Sequence, residues 1–373
     1  MERAYYLDKL RVVLTALVIL HHTTIAYGAM GGWCYITPDI VTGIPRMVMS
    51  MMLSVNQAFF MSLFFFISAY LMPGSFERKG TKKYLTDRLI RLGIPLLLVA
   101  TLINPSILYM AAVHTNTTGG ANWAQYVWMC NTKYPHTSHM WFVLALLIYE
   151  SIYIAYRSLF KGSLSVKIKN AVPTTLQMIG FVAVFGLIAF GIRTFYPIGK
   201  NFIGMQWGYF SLYTGMYVAG ILARKKNWLD KLSYQQSLKW LLVVVLIMPF
   251  IITAHILVTK NPEVVSQFTG GITFRSLMLC YWEAVTCIGL CYFMLMVFKK
   301  YGNSTSKFWK QTSADSYLTY TIHSFVLVSI TILLEPVGLS PMPKLILALL
   351  LSISGSFGIA FLLRKLPGVK RIF

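Results

Sequence analysis

The chain has seven histidines and eleven acidic residues in 373 positions, so groups able to move protons or attack carbonyl carbons are scarce and their placement is informative. Arg11 and His22 stand eleven residues apart in an otherwise apolar run. Eleven residues make about three helical turns, which puts both side chains on one face, roughly 16 Å apart along the axis. His21 points about 80° away from that line. A guanidinium at one end of such a stripe suits an anion, and an imidazole further along suits general-base or nucleophilic work. The plainer alternative is an arginine that snorkels to the headgroups and a histidine that bonds a neighbouring helix.

Arg88 and Arg91, at i and i+3 in the segment Asp87-Arg88-Leu89-Ile90-Arg91-Leu92-Gly93-Ile94-Pro95, share a helical face. Together they make a fork for phosphate oxygens, although arginines at a cytoplasmic boundary also arise simply to orient a span. Tyr317, Tyr320 and His323 form a second stripe at i, i+3 and i+6, where the plain alternative is aromatic packing. His139, Trp141 and Phe142 open another apolar segment; Trp is expected there as an interface anchor, His is not. Glu150 and Glu283 lie within apolar segments, where either would orient a histidine or pair with a nearby Tyr or Trp. His114 and His255 are assigned no role. Cys34 and Cys130 both fall in outer loops, where a bridge between them is one reading, and no Cys/His spacing resembles a metal site.

The elements that carry these residues follow from composition. Hydrophobic residues make up 57% of the chain, charged residues only 12%, and mean hydropathy is +0.63. This excludes a water-soluble enzyme, a disordered chain and a disulfide-stapled secreted module. The expected fold is an all-α integral membrane protein, a bundle of about ten transmembrane helices with both termini cytoplasmic. Spans are predicted near 10–28, 47–72, 89–113, 139–159, 176–192, 205–223, 238–258, 274–298, 314–334 and 344–363, with an outer loop at about 114–138. Assigned to alternate sides, 26 of the 33 Lys and Arg fall inside and 7 outside. The net charge of +22 therefore reflects topology under the positive-inside rule, and nucleic acid is not an expected partner. The first apolar run ends in His21, His22 and Thr23 rather than a cleavage site, so it is expected to stay as a signal anchor. The whole chain, 1–373, is expected to form one transmembrane domain with no separate soluble domain. Three cytoplasmic-edge arginines above a buried histidine point to a phosphate-bearing anion held inside, its reactive end reaching into the membrane toward His22.

Five segments, in order along the chain, carry a resemblance: Glu2 through Arg11 followed by His22; Phe64-Phe65-Phe66-Ile67-Ser68-Ala69-Tyr70-Leu71; Asp87 through Pro95; Ser138-His139-Met140-Trp141-Phe142-Val143; and Tyr317 through His323. Together they resemble the membrane-bound acyltransferase family 3, in particular its glucan succinyltransferase (glucan biosynthesis protein C) type. The resemblance implies a multi-pass enzyme of a bacterial plasma (inner) membrane that moves an acetyl or succinyl group from cytoplasmic acyl-CoA to a hydroxyl on an extracytoplasmic glycan. It also implies roles. Arg11, Arg88 and Arg91 would hold the phosphates of CoA, and His22 would be the catalytic histidine. Read as an acyl relay across the bilayer, the chain would use Tyr320 and His323 to position the acceptor. His139, Trp141 and Trp33 would line the acceptor's approach from outside. No metal is called for, and a homo-oligomer is compatible with this reading. Two positions depart from the family pattern: Ala69 stands where Gly is usual, and Leu146 where members that acetylate surface polysaccharide often carry Glu. The rival class is a transporter or flippase for a lipid-linked glycan, which would be expected to show two related halves; residues 1–190 and 191–373 show no such repeat.

Overall fold

The computed structural model describes residues 4–159, 172–304 and 306–373. Among them the chain is helical apart from its connections, with one isolated bridge between Phe202 and Met205. The main helices are α1 (Tyr5–Ala26), α2 (Gly43–Lys79), α3 (Thr81–His114), α4 (Trp123–Lys133), α5 (Trp141–Leu159), α6 (Thr175–Phe195), α7 (Phe210–Lys226), α8 (Tyr234–Lys260), α9 (Phe274–Tyr301), α10 (Lys307–Leu334), α11 (Pro341–Leu363) and α12 (Pro367–Ile372). Nine stretches among the described residues are long and apolar enough to cross a membrane, α4 and α5 counting as one. The segment expected to supply another span, 205–223, forms α7, a helix of 17 residues. Leu242 and Leu246 on α8 and Leu350 on α11 are more than half exposed, as lipid-facing side chains are.

The region expected as an outer loop, 114–138, differs from expectation because it contains α4. Asn122 starts this helix with a capping box: its side chain accepts the Gln125 N–H at 3.0 Å, and the Gln125 side chain accepts the Asn122 N–H at 3.0 Å. An amphipathic stretch of eleven residues with a good cap reads as a loop when only its mean hydropathy is considered.

Helix α3 is not a uniform α-helix. Leu89–Gly93 and Val99–Ile103 are π turns, closed by Ile94 N–H on the Leu89 carbonyl and Asn104 N–H on the Val99 carbonyl. Each ends two residues before a proline, Pro95 or Pro105. A proline within a helix lacks the N–H for the carbonyl four residues back and crowds it, so inserting one residue into the turn relieves the clash. The carbonyl that Pro105 leaves without its helical donor belongs to Thr101, and Asn131 Nδ2 of α4 bonds it at 2.8 Å. This bond is one of the ties between α4 and α3, beside that of Trp123 Nε1 to Ser106 Oγ at 3.0 Å.

Described residues cluster into two compact units. One comprises the chain up to Leu10, Ser54–Asp87 and Ala145–Ser304. Here α9 packs against α8 and α6, and close approaches are made at glycines: a Cβ on Gly220 of α7 would lie 2.3 Å from the Phe66 carbonyl and 2.9 Å from the Ala69 Cβ of α2. The methyl of Ala69 is thus accommodated because Gly220 faces it. Arg193 of α6, fully buried, donates from Nη2 to Glu283 Oε2 of α9 at 2.5 Å and from Nε to the Gly208 carbonyl at 3.0 Å. The Tyr209 ring lies 5.1 Å from its guanidinium carbon. Glu283, expected to orient a histidine or to pair with a nearby Tyr or Trp, instead commits its carboxylate to Arg193.

The second unit comprises Arg11–Leu53, Arg88–Leu144 and Thr305–Phe373. Its core gathers Tyr27, Tyr35, Ile107, Leu327, Val328 and Leu345 around the joint of α10 with α11. Every arginine, histidine, tyrosine and tryptophan proposed from sequence for the site lies in this unit.

Candidate functional site

Three of the seven histidines converge in the second unit. His22 Nδ1 lies 3.0 Å from His323 Nε2, with the rings nearly parallel at 12° and centroids 5.2 Å apart. His323 Nδ1 lies 2.6 Å from the main-chain carbonyl of Tyr320, three residues earlier on α10. A carbonyl only accepts, so His323 Nδ1 carries hydrogen and, in the neutral ring, Nε2 presents its lone pair. That lone pair accepts the hydrogen on His22 Nδ1. The bonding order therefore leaves His22 Nε2 bare, and His22 is only partly buried. An imidazole held with its Nε2 lone pair uncommitted is prepared to take a proton or to attack a carbonyl carbon.

His139 completes the histidine group, its ring centroid 4.7 Å from that of His323 at 73°. It donates from Nε2 to the Thr321 carbonyl at 3.1 Å, while the Tyr320 hydroxyl donates to the His139 main-chain carbonyl. These two bonds, one in each direction, fasten α10 to the turn ahead of α5. Ser138 adopts φ +50°, a left-handed conformation that sets the start of this turn, and donates its N–H to His136 Nδ1 at 2.8 Å. The hydroxyl of Tyr320 is thus engaged in holding the turn. The second ring nitrogen of His139, Nδ1, is buried and has no hydrogen-bond partner.

Trp33 stacks on His22 with centroids 3.9 Å apart and planes 16° from parallel. It sits in the connection between α1 and α2, which is tied down along its length. Thr37 N–H donates to the Ala26 carbonyl at 3.0 Å, Val41 N–H to that of Tyr27 at 2.9 Å, and Arg46 Nε to that of Gly28 at 2.7 Å. Gly28 has φ +102°, and a Cβ there would meet Ile40 at 2.8 Å, so the fold requires glycine. Tyr35 donates to Glu335, whose other oxygen lies 2.6 Å from His114 Nε2, and Lys344 pairs with Asp39. The indole Nε1 of Trp33 is buried without a partner. An unmet buried donor costs about 1–3 kcal/mol.

Toward the other end of the unit, Arg88 immediately precedes the first π turn of α3 and Arg91 lies within it. The hydroxyl of Tyr317 is buried and has no hydrogen-bond partner. Arg91 is exposed and donates from Nε to the Ile372 carbonyl at 3.3 Å. Tyr317 lies six residues before His323 on α10, about 9 Å along the helix axis. Arg11 is half-buried three turns before His22 on α1, with its carbonyl accepting from Thr15. Trp141 packs edge-on against Phe142, and Phe142 against Tyr320 at 6.1 Å.

The structure thus places His22, His323, His139, Tyr320 and Trp33 side by side, and Arg88 and Arg91 together at the first π turn of α3. Glu150 and Glu283 belong to the other unit. Cys34 and Cys130 carry free thiols, and burial pushes the Cys34 thiol up to about 12. No group of three or more His, Cys, Asp or Glu suited to a metal occurs among the described residues. Sequence reasoning passed over the Glu335 cluster and the pair of Asp315 with Arg364 at 2.8 Å. Pro95 and Pro105 stand in the sequence, but a proline alone does not signal whether a helix answers it with a kink or with a π turn.

Comparison with known proteins bears on this arrangement. Glucans biosynthesis protein C from Salmonella paratyphi B, from Salmonella heidelberg and from Salmonella enteritidis PT4 is in each case 27% identical over 160 residues. That stretch covers 43% of this chain and 40% of each relative, so the chain matches less than half the length of these proteins. No solved structure gives a significant match. A family model described as an acyltransferase domain matches residues 4–363, nearly the whole length. The chain is a multi-pass membrane protein that belongs to acyltransferase family 3.

Proposed function

We propose that this protein takes an acyl group, acetyl or succinyl, from cytoplasmic acyl-CoA and delivers it to a hydroxyl of an extracytoplasmic carbohydrate across the inner membrane of a bacterium. The observation that carries the reading is the hydrogen-bond order from the Tyr320 carbonyl through His323 to His22, which leaves His22 Nε2 bare. In this reading Arg88, Arg91 and Arg11 bind the phosphates of CoA, and the pantetheine arm carries the thioester toward His22. Tyr317 lies along the way, its buried hydroxyl available to the arm. The acceptor hydroxyl gives its proton to His22 Nε2 as its oxygen bonds to the thioester carbonyl carbon. The carbonyl π pair moves onto oxygen, and its return breaks the C–S bond. The departing thiolate then takes the proton from His22. His139 and Trp141 lie on the acceptor's approach.

The test is thiol release from acetyl-CoA and from succinyl-CoA by the purified protein in nanodiscs. Release that depends on His22 supports the enzyme reading, and the faster thioester names the donor. Absence of both release and acyl-CoA binding would overturn it in favour of transport of a glycan or lipid-linked precursor. Arg88→Ala is expected to raise the KM for acyl-CoA about tenfold with kcat within a factor of two, because a phosphate contact remote from the thioester is made equally in ground and transition states. An unchanged KM would remove Arg88 from the donor site.

Pro95→Ala supplies a separate test of the first π turn. With the N–H restored and the ring gone, the turn is expected to return to α register. One residue of re-registration turns the residues before it by about 100° relative to those after it. Arg88 would then point in a different direction relative to the rest of α3, and donor KM is expected to rise severalfold without loss of stability. An unchanged KM would show that the turn does not aim the arginines.

A further inference from the structure

The unpartnered buried groups beside the histidines differ in what they offer. His139 donates from Nε2 to the Thr321 carbonyl, so its bare Nδ1 offers a lone pair. Trp33 Nε1 offers a hydrogen and has nothing to receive it. The indole cannot give that hydrogen to His22, because the rings are stacked 16° from parallel at 3.9 Å and an indole N–H points along its own plane. A group reacting at the edge of the His22 ring approaches alongside the stacked indole, whose plane is nearly parallel to that ring. The connection carrying Trp33 is secured at Ala26, Tyr27, Gly28, Glu335 and Lys344, so the donor is held in place before any ligand arrives.

We propose that Trp33 Nε1–H is the donor that receives the carbonyl oxygen of the acyl group as it becomes an oxyanion. The proposal rests on the acyl-transfer reading and adds a catalytic residue to it. When the acceptor oxygen bonds to the thioester carbon and its proton passes to His22 Nε2, the electron pair of the C=O bond goes onto oxygen. That oxygen accepts the Trp33 hydrogen bond, which is released when the C=O re-forms and the C–S bond breaks. A donor with no ground-state partner gains most when charge appears on its acceptor, so its contribution falls on the transition state. Stacking on the same face also holds the imidazole ring in line with the reacting carbon, and a variant that retains the stack separates the two contributions.

Trp33→Phe keeps an aromatic face against His22 and removes the N–H. Thiol release should fall about 10²-fold in kcat with little change in donor KM, the usual effect of deleting one oxyanion donor. A binding measurement tests the point without turnover. The probe is a trifluoromethyl ketone analogue of acetyl-CoA, whose hydrated carbon mimics the tetrahedral intermediate, compared with CoA itself. The wild-type preference for the analogue should fall about 10²-fold in Trp33→Phe, with CoA affinity unchanged. Loss of affinity for both probes together would assign Trp33 a structural role and overturn the proposal, as would a preference within threefold of wild type. Benzothienylalanine at position 33, which replaces N–H by sulfur in the same bicyclic shape, gives the same comparison if the phenylalanine variant does not fold. Failure of the wild type to bind either probe would instead overturn the acyl-transfer reading itself.

Discussion

A His22→Ala protein is expected to insert and fold as the wild type does and to lose acyl transfer by a factor of about 10³, within the range that a positioned general base contributes. The expectation rests on the direction of two hydrogen bonds. Tyr320 offers a carbonyl to His323, which fixes hydrogen on His323 Nδ1; His323 then accepts from His22, which fixes hydrogen on His22 Nδ1 and frees Nε2. Alanine removes the uncommitted lone pair at the open end of the His22–His323 pair, and His323, with both nitrogens placed against α10 and α1, cannot take over without turning its ring. The measurement is single-turnover thiol release from acetyl-CoA, with acyl-CoA binding followed alongside. Retained binding with lost turnover is the expected pattern. A His22→Ala protein that releases thiol at a normal rate would end the mechanism.

The second large effect concerns stability. Arg193→Ala is expected to destabilise the protein by about 3–5 kcal/mol, because it leaves Glu283 buried without its cation. Arg193 is fully buried, is held by the Gly208 carbonyl as well as by the carboxylate, and lies beside the Tyr209 ring. Removing both charges together, as Arg193→Met with Glu283→Leu, should recover most of the loss, since an apolar pair of similar volume has no desolvation penalty to offset. Thermal unfolding in nanodiscs reads all three proteins. A single Arg193→Ala variant within about 1 kcal/mol of wild type would show that the pair contributes nothing that water or lipid cannot replace. Because Glu283 lies in the unit that does not contain His22, the variant's donor KM also checks whether its effect is confined to folding.

Much of this arrangement was legible before any coordinates. Positions along a single helix follow from the helical period, so the Arg11–His22 stripe and the Arg88/Arg91 fork could be read from spacing. The grouping of His22 with His323, separated by 301 positions, could not, because periodicity says which face a residue occupies and not which other face it meets. Glu283 illustrates the same limit in reverse. A buried carboxylate needs a partner, and the sequence offered several; the packing of α6 on α9 selects Arg193. Trp33 lies in a connection, whose path is set by side-chain ties such as Tyr35 to Glu335 that have no periodic signature. The α4 helix was hidden for a different reason: its capping box was present in the letters, but eleven half-polar residues between two apolar runs looked like a loop. Nine stretches among the described residues are long and apolar enough to span, and α7, with 17 residues, stands apart from them by its length.

The hydrogen-bonded histidines also bear on the membrane's ion gradients. Two imidazoles in contact within a bilayer are the usual material of a proton wire, and a wire joining the two faces would short-circuit an energised membrane. Here the series stops at the Tyr320 main-chain oxygen, which accepts a hydrogen bond but holds no proton that it could pass onward. A proton that arrives on His22 Nε2 has no onward route through His323 and can only leave by the side from which it came. The pair therefore behaves as an insulated one-proton store, able to lend acidity and basicity to a reaction at its open end while conducting nothing.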